Sequence, residues 1–345
     1  MLRPYVEFAR GGRLSRWALV GLLGWAGLAG LPAAQAAGEP PAPAAVPQGM
    51  QEWLERLHEA SRRRAYTGTF VVSADGEMAV SRISHICDGK QQLERIETLT
   101  GTPRTTVRRN DEVLTLLPDA QLAVRENRAG LRLFPDFLRR PGQQIGTYYQ
   151  ARAAGHDRVA GHEATLVDFL PRDDWRFGYR VWSEKRTGLV IKLQTRDHEG
   201  EVLEQVAFTE LQLDAPLQMA YLERQMTPPK GYRLKQPVVR QTSAEAEGWR
   251  LKAAVPGFQS VSCQVQSAAG ATMPGIMQWV FSDGMASVSL FVETFDPQRH
   301  TKEKSVATGA THSLTRRLDA HWVTALGEVP LKTLQAFVSA LERSR

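Results

Sequence analysis

Dipeptides suited to tight turns, set between short runs of period-two alternation, constrain this chain more than any other feature. Tyr66, Phe70 and Val72 alternate with Thr67, Thr69 and Val71 before Asp75-Gly76, and Ala79 to Cys87 returns to Asp88-Gly89. Such pairs between alternating runs signal β-hairpins. Leu93 to Leu99, Thr105 to Arg109, Val113 to Leu117, Gly178 to Glu184, Leu189 to Thr195 and Val202 to Leu211 read as further strands, with Thr187-Gly188 turning between two of them. Strands at this spacing predict a curved antiparallel sheet or an open barrel. Ahead of them, Met50, Trp53, Leu54, Leu57 and Ser61 follow the 3, 4, 7 spacing of a helix, and Arg62 to Arg64 suit its C-terminal end.

The alternation breaks between Gln225 and Glu247, where Pro228, Pro229, Gly231 and Pro237 oppose regular pairing. This stretch, 225–247, is read as a linker. After Trp249, Met277, Trp279 and Phe281 alternate, Asp283-Gly284 turns, and Ala286, Val288, Leu290 and Val292 alternate back. Pro330 opens a helix with Leu331, Leu334, Val338 and Leu341 on one stripe. A helix across a small antiparallel sheet buries both. The expected organisation is therefore a larger β domain over 50–224 and a small α+β domain over 248–345.

Residues 1–36 read as an export signal. Arg3, Arg10, Arg13 and Arg16 precede an apolar run from Trp17 to Pro32, and Ala34-Gln35-Ala36 is a small-residue cleavage site. The alternative is an uncleaved anchor, which the shortness of the run disfavours. Residues 37–49, rich in Pro and Ala, read as a disordered start of the exported chain. At 42% hydrophobic residues the remainder is able to form a core.

Export places the chain where disulfides form, but Cys87 and Cys263 fall in different expected domains and read as two separate thiols. The formal net charge is +6, and arginines gather between Arg95 and Arg140: Arg104, Arg108, Arg109, Arg125, Arg128, Arg132, Arg139 and Arg140. In an exported protein that excess suits phosphorylated lipid or an acidic polypeptide rather than nucleic acid.

No catalytic or metal-binding pattern stands out. There is no G-x-S-x-G, H-E-x-x-H, P-loop or G-x-G-x-x-G, and no histidine has a second one four residues on. Asp173-Asp174 reads as a loop cap before Trp175. No enzyme, cofactor or metal is expected. Aromatic residues on the alternating strands (Tyr66, Phe70, Trp175, Phe177, Tyr179 and Trp182) would either fill a core or line an apolar cavity. The lining expected for a lipid is Tyr66, Phe70, Val72, Trp182, Leu189 and Ile191, with Arg104, Arg108 and Arg109 near its phosphate.

Several segments occur together in order: Tyr66-Thr67-Gly68-Thr69-Phe70-Val71, Arg82-Ile83-Ser84-His85, Gly101-Thr102-Pro103-Arg104, Arg158-Val159-Ala160-Gly161-His162-Glu163-Ala164, Phe177-Gly178-Tyr179-Arg180-Val181-Trp182, Thr187-Gly188-Leu189-Val190, Phe281 to Val292 and Gly327-Glu328-Val329-Pro330. As a set the chain resembles the RseB/MucB family of envelope-stress regulators. The resemblance implies an unclosed antiparallel barrel like that of LolA with a helical plug, then a smaller α+β domain. It implies a periplasmic protein that binds the periplasmic domain of an RseA/MucA-type anti-sigma factor and shields it from regulated proteolysis. The sigma factor thus stays sequestered until lipopolysaccharide or another acylated lipid releases the complex. Homo-oligomer formation is left open. The other reading is a periplasmic lipid or lipoprotein carrier of the LolA type, which would need only the first domain.

Overall fold

The computed structural model describes residues 50–127, 134, 145–267 and 275–344. The expected signal at 1–36, the tail at 37–49, and Arg128, Arg132, Arg139 and Arg140 lie outside the described residues. Among the described residues no helix is long and apolar enough to cross a membrane.

Helix α1 (Met50–Arg63) precedes β1 (Tyr66–Ala74), β2 (Glu77–Cys87), β3 (Gln92–Thr98), β4 (Thr105–Arg109), β5 (Glu112–Leu117) and β6 (Leu122–Asn127). A short helix, α2 (Ile145–Tyr148), leads into β7 (Tyr149–Val159), β8 (His162–Pro171), β9 (Gly178–Glu184), β10 (Val190–Arg196) and β11 (Val202–Leu213), followed by α3 (Met219–Arg224) and β12 (Arg233–Lys235). These twelve strands form one sheet, ordered β12-β6-β5-β4-β3-β2-β1-β11-β10-β9-β8-β7. It stays open, with β12 and β7 at its edges. The expectation of an open antiparallel barrel carrying a helix holds, with β12 added in parallel to β6.

Local chemistry explains the hairpins. Asp75 and Gly76 both take positive φ, 52° and 77°. That is the primed turn whose twist matches the flanking strands. One face of the sheet closes on α1: Leu54 and Leu57 are buried, and the Trp53 ring lies 5.9 Å from that of Phe169. Alternation sends Leu93, Val107, Leu114 and Ala123 to the other face, where Leu222 of α3 and Met226 cover them.

The chain then builds a second sheet from β13 (Val238–Gln241), β15 (Gln259–Ser267), β16 (Ile276–Ser282), β17 (Ser287–Thr294), β18 (Lys304–Thr308), β19 (Thr311–Leu318) and β20 (His321–Gly327), in the order β13-β15-β16-β17-β20-β19-β18. Between β13 and β15, β14 (Trp249–Leu251) pairs with β21 (Leu341–Arg343), which follows α4 (Leu331–Ala340). α4 packs on this sheet as its apolar stripe requires, with Phe337 5.6 Å from Phe258 and 4.7 Å from Phe281, ring to ring.

One expectation needs correction. The stretch 225–247 is not free of pairing, because β12 joins the first sheet and β13 the second. Its prolines do not oppose this: Pro228, Pro229 and Pro237 all fall outside the paired residues. Cys87 and Cys263 are free thiols, on β2 and β15.

The two sheets also meet away from that stretch. The turn between β18 and β19 docks on the turn between β1 and β2, where the Gly309 N–H donates to Asp75 Oδ2 at 2.7 Å. Gly309 has φ +54°, and a β-carbon there would sit 2.7 Å from that of Ala74, so the contact needs glycine twice over.

Candidate functional site

The concave face of the first sheet collects Tyr66, Phe70, Ile83, Phe169, Tyr179, Val181, Leu193, Val206 and Phe208 into one buried cluster with α1. Phe134 reaches into it: its ring is 5.7 Å from Phe70 and 5.1 Å from Phe208. Of the expected lipid-lining residues, Tyr66, Phe70, Leu189 and Ile191 are buried in this cluster, and Val72 packs partly buried against it. Trp182 belongs to the same buried cluster, although register turns it away from Val181. Strand register pairs it with Lys192 and Leu166, and it shares its face with Arg180, opposite Val181. Its indole N–H donates to Asp157 at 2.9 Å, and Lys192 Nζ lies 4.4 Å above its ring.

The three arginines expected at a lipid phosphate are not gathered on one face. Arg108 and Arg109 are consecutive on β4, so alternation points them apart. Arg109 is exposed and bonds Glu112 at 2.7 Å. Arg108 is buried and lies 3.5 Å from buried Glu94. Arg104, just before β4, is half-buried.

Register extends the Arg108–Glu94 pair into a polar row on the concave side: Tyr66, His85, Glu94 and Arg108 are successive partners across β1, β2, β3 and β4. The His85 ring stacks on Tyr66 at 4.9 Å, and its Nδ1 lies 2.8 Å from the Arg64 carbonyl. Burial holds His85 below its ordinary value of 6.5, against the pull of Glu94. A depressed histidine contributes stability that is complete above its unfolded value and is lost as pH falls below it. Chain stability should therefore fall between about pH 7 and pH 5.5, and His85→Gln should flatten that fall. His321, also lowered by burial, adds a slope of the same sign that the variant keeps. Urea titrations of both proteins across this range test it; parallel slopes would contradict it.

The second feature is a buried ionic joint between the sheets. Arg176, in the loop before β9, is fully buried, as is the Asp283 side chain from the β16–β17 turn. Arg176 Nη1 donates to Asp283 Oδ2 at 2.6 Å, its Nε to Asp173 at 2.8 Å and its Nη2 to the Pro256 carbonyl at 2.8 Å. The Tyr149 hydroxyl donates to the same Asp283 oxygen at 3.0 Å, while Met285 N–H and Ala286 N–H donate to the other at 2.9 Å and 2.7 Å. Burial pushes the Asp283 carboxyl above its ordinary value, and Arg176 and these donors pull it back. Burial also drives the Tyr149 phenol well up. Around the guanidinium stand the rings of Tyr148 at 4.5 Å and Phe258 at 5.2 Å. Alongside, the Thr333 hydroxyl of α4 donates to the Trp175 carbonyl at 2.7 Å, and Lys332 pairs with Asp174 at 2.9 Å.

Sequence marks Asp283 as a turn residue and Asp173 as a loop cap. Asp173 does cap, accepting from the Trp175 N–H at 3.0 Å. Nothing in the sequence marks Arg176 and Asp283 as partners. Every group of the joint is committed to another, which suits a fixed connection rather than a reaction centre. Among the described residues no group of His, Cys, Asp and Glu is arranged to hold a metal.

Comparison with known proteins agrees across both sheets. The family profile described as the MucB/RseB N-terminal domain matches residues 49–226, and that of the MucB/RseB C-terminal domain matches 243–342. The chain is 29% identical over 301 residues to the sigma factor AlgU regulatory protein MucB of Pseudomonas aeruginosa, covering 85% of this chain and 90% of that one. It is 23% identical over 293 residues to the sigma-E factor regulatory protein RseB of Haemophilus influenzae, covering 84% and 90%. Among solved structures, the Pseudomonas aeruginosa MucA/MucB complex is similar with a TM-score of 0.65 and 26% identity, over 86% of this chain and 99% of the matched one. A crystal structure of MucB alone gives 0.61 at 24% identity, over 85% and 97%.

Proposed function

Because this chain belongs to the MucB/RseB family, we propose that it is a periplasmic regulator that binds the periplasmic part of a MucA/RseA-type anti-sigma factor. By holding that segment it shields it from regulated proteolysis and keeps the sigma factor sequestered. An acylated lipid such as lipopolysaccharide opposes the complex. Export through the signal at 1–36 delivers it, with 50–224 and 248–345 as its two domains. The observation that carries this reading is coverage: a MucB similar to this chain over 86% of its length is solved bound to MucA, so both sheets have counterparts in a protein that forms such a complex. The apolar concave cluster supports the lipid part, since acyl chains would take the place of side chains such as Phe134.

Lipid shifts the equilibrium only by its differential affinity for the two states. Coupling is reciprocal, so the anti-sigma segment must weaken lipid binding by the factor by which lipid weakens the complex, about 5- to 150-fold for typical couplings. The test is a cleavage assay on the periplasmic segment of the anti-sigma factor by its initiating protease. Stoichiometric full-length chain should suppress cleavage, and titrated lipopolysaccharide should restore it. Undiminished cleavage at saturating chain would sink the regulator reading. The carrier reading, which the concave cluster alone would satisfy, would then take its place. Binding without lipid reversal would remove only the sensing step.

A further inference from the structure

Opposite Val181 and Leu193, the face of β7 to β11 carries an ordered polar row beside the buried Leu166 and Trp182. Register makes Arg152, Asp168, Arg180, Gln194 and Gln205 successive partners across the five strands. Lys192 and Trp182 form the neighbouring pair, and Arg196 follows Gln194 on the same side of β10. Asp168 is fully used, since Arg180 donates to both its oxygens at 2.5 Å and 2.7 Å. Asp157 is taken by Trp182 and by the Arg158 N–H. Glu184, at the turn, accepts from Thr187 and Arg186.

Three cations make no direct ion pair among the described residues, although Asp157 draws on Lys192 and Asp168 on Arg196 from farther off. Arg196 donates through Nε and Nη2 to one oxygen, Gln194 Oε1, at 3.1 Å and 2.7 Å. Arg152 donates to Gln150 Oε1 at 3.0 Å. Lys192 rests on the Trp182 ring. Neutral amides orient the guanidinium groups without neutralising them, and most of their N–H groups point to no protein acceptor. Partial burial pulls Lys192 below its ordinary value, and burial with Arg180 alongside does the same to Arg196. An incoming anion would relieve both.

We infer that this face of β7 to β11 is a docking surface for an acidic polypeptide segment, its carboxylates received by Arg152, Lys192 and Arg196. Charge complementarity names the anion, and the amides name the polypeptide. Gln194 Nε2 donates to Gln205 Oε1 at 2.7 Å, which leaves the side-chain N–H groups of Gln150 and Gln205 to meet peptide carbonyls. The aromatic residue on this face, Trp182, is buried under Lys192 and has nothing to insert into a bilayer. Five strands span about 19 Å, which an extended segment of about six residues crosses. The inference rests on the regulator reading only in taking the occupant to be polypeptide.

The test uses the full-length chain and a labelled peptide of four Glu-Ser repeats, measured by fluorescence anisotropy. Binding should be clear at low salt and weaken steeply by physiological ionic strength, as exposed charge pairs do. Lys192→Glu with Arg196→Glu should raise Kd at least roughly tenfold, and Arg152→Glu alone, at an exposed side chain, severalfold. Unchanged Kd in either variant at unchanged melting temperature, or indifference to salt, would overturn the inference. So would phosphatidylglycerol vesicles that outcompete the peptide and lose binding in the same variants, since that outcome assigns the face to a membrane. The MucA periplasmic domain is titrated in parallel. If it binds while the Glu-Ser peptide does not, this inference alone fails; if the peptide binds and the periplasmic domain does not, the regulator reading fails.

Discussion

Asp283→Ala is expected to destabilise the chain by about 3–5 kcal/mol, because it breaks a buried ion pair from one side. The variant removes the acceptor of four hydrogen bonds. It leaves the fully buried Arg176 guanidinium with only Asp173 and the Pro256 carbonyl. An uncompensated buried charge costs far more than the pair contributes. The control follows from the same reasoning. Asp283→Asn still accepts from Met285 and Ala286, and Arg176→Met removes the charge while filling the space between Tyr148 and Phe258. Together they should cost clearly less than the sum of the single changes, a coupling expected for groups in direct contact. Urea titrations of the parent, the singles and the double measure it. Additive losses would show that the pair does not hold the sheets together.

Phe208→Ala is expected to cost about 3–5 kcal/mol, the range for removing a buried phenyl ring. Phe208 is 2% exposed and meets both Phe70 and Phe134. Its ring also lies over Gly68, 2.9 Å from where a β-carbon would be, so it fills space that Gly68 leaves open on the sheet. Truncation should leave an apolar cavity, and such cavities stay dry and accept small apolar guests. The variant should therefore bind a short-chain acyl fluorophore more tightly than the parent, although it is less stable. A loss below about 1 kcal/mol would mean that the concave interior is not close-packed. Weaker uptake of the fluorophore would mean that acyl chains do not enter by displacing this ring.

The sequence disclosed elements wherever local pattern and turn chemistry agreed. β1 to β5, β9 to β11, the β16–β17 hairpin, α1 and α4 all fall where alternation, turn dipeptides or helical spacing place them. β7 is not legible in the sequence because Tyr149–Val159 is rich in Ala, Arg, Gly and His rather than in β-branched residues, and a bulge near Ala154 breaks its period. β18 to β20 are not legible either, with β18 exposed along nearly all its length, so that burial leaves no apolar mark on it. The period of two also bears on the candidate site. Trp182 is an odd number of residues from Tyr179 and Val181, and Arg108 is next to Arg109; a period of two separates both pairs onto opposite faces. The ionic joint was not legible, since partners 107 residues apart carry no local signal.

That separation also bears on how the chain reaches its native state. Arg176 meets Asp283 across 107 residues, Tyr149 meets it across 134, and Asp75 meets Gly309 across 234. A chain that emerges N-terminus first displays the strands of its larger sheet long before the residue that neutralises its buried guanidinium exists to meet it. Until then Arg176 must stay hydrated and its loop unsettled, since desolvating a lone charge is prohibitive. The final locking step therefore waits on the C-terminal third. Contacts so distant in sequence make folding slow, because loop closure costs entropy before any pairing rewards it. A polypeptide truncated before residue 283 would be a long-lived intermediate, with an exposed charged seam where the finished molecule has none.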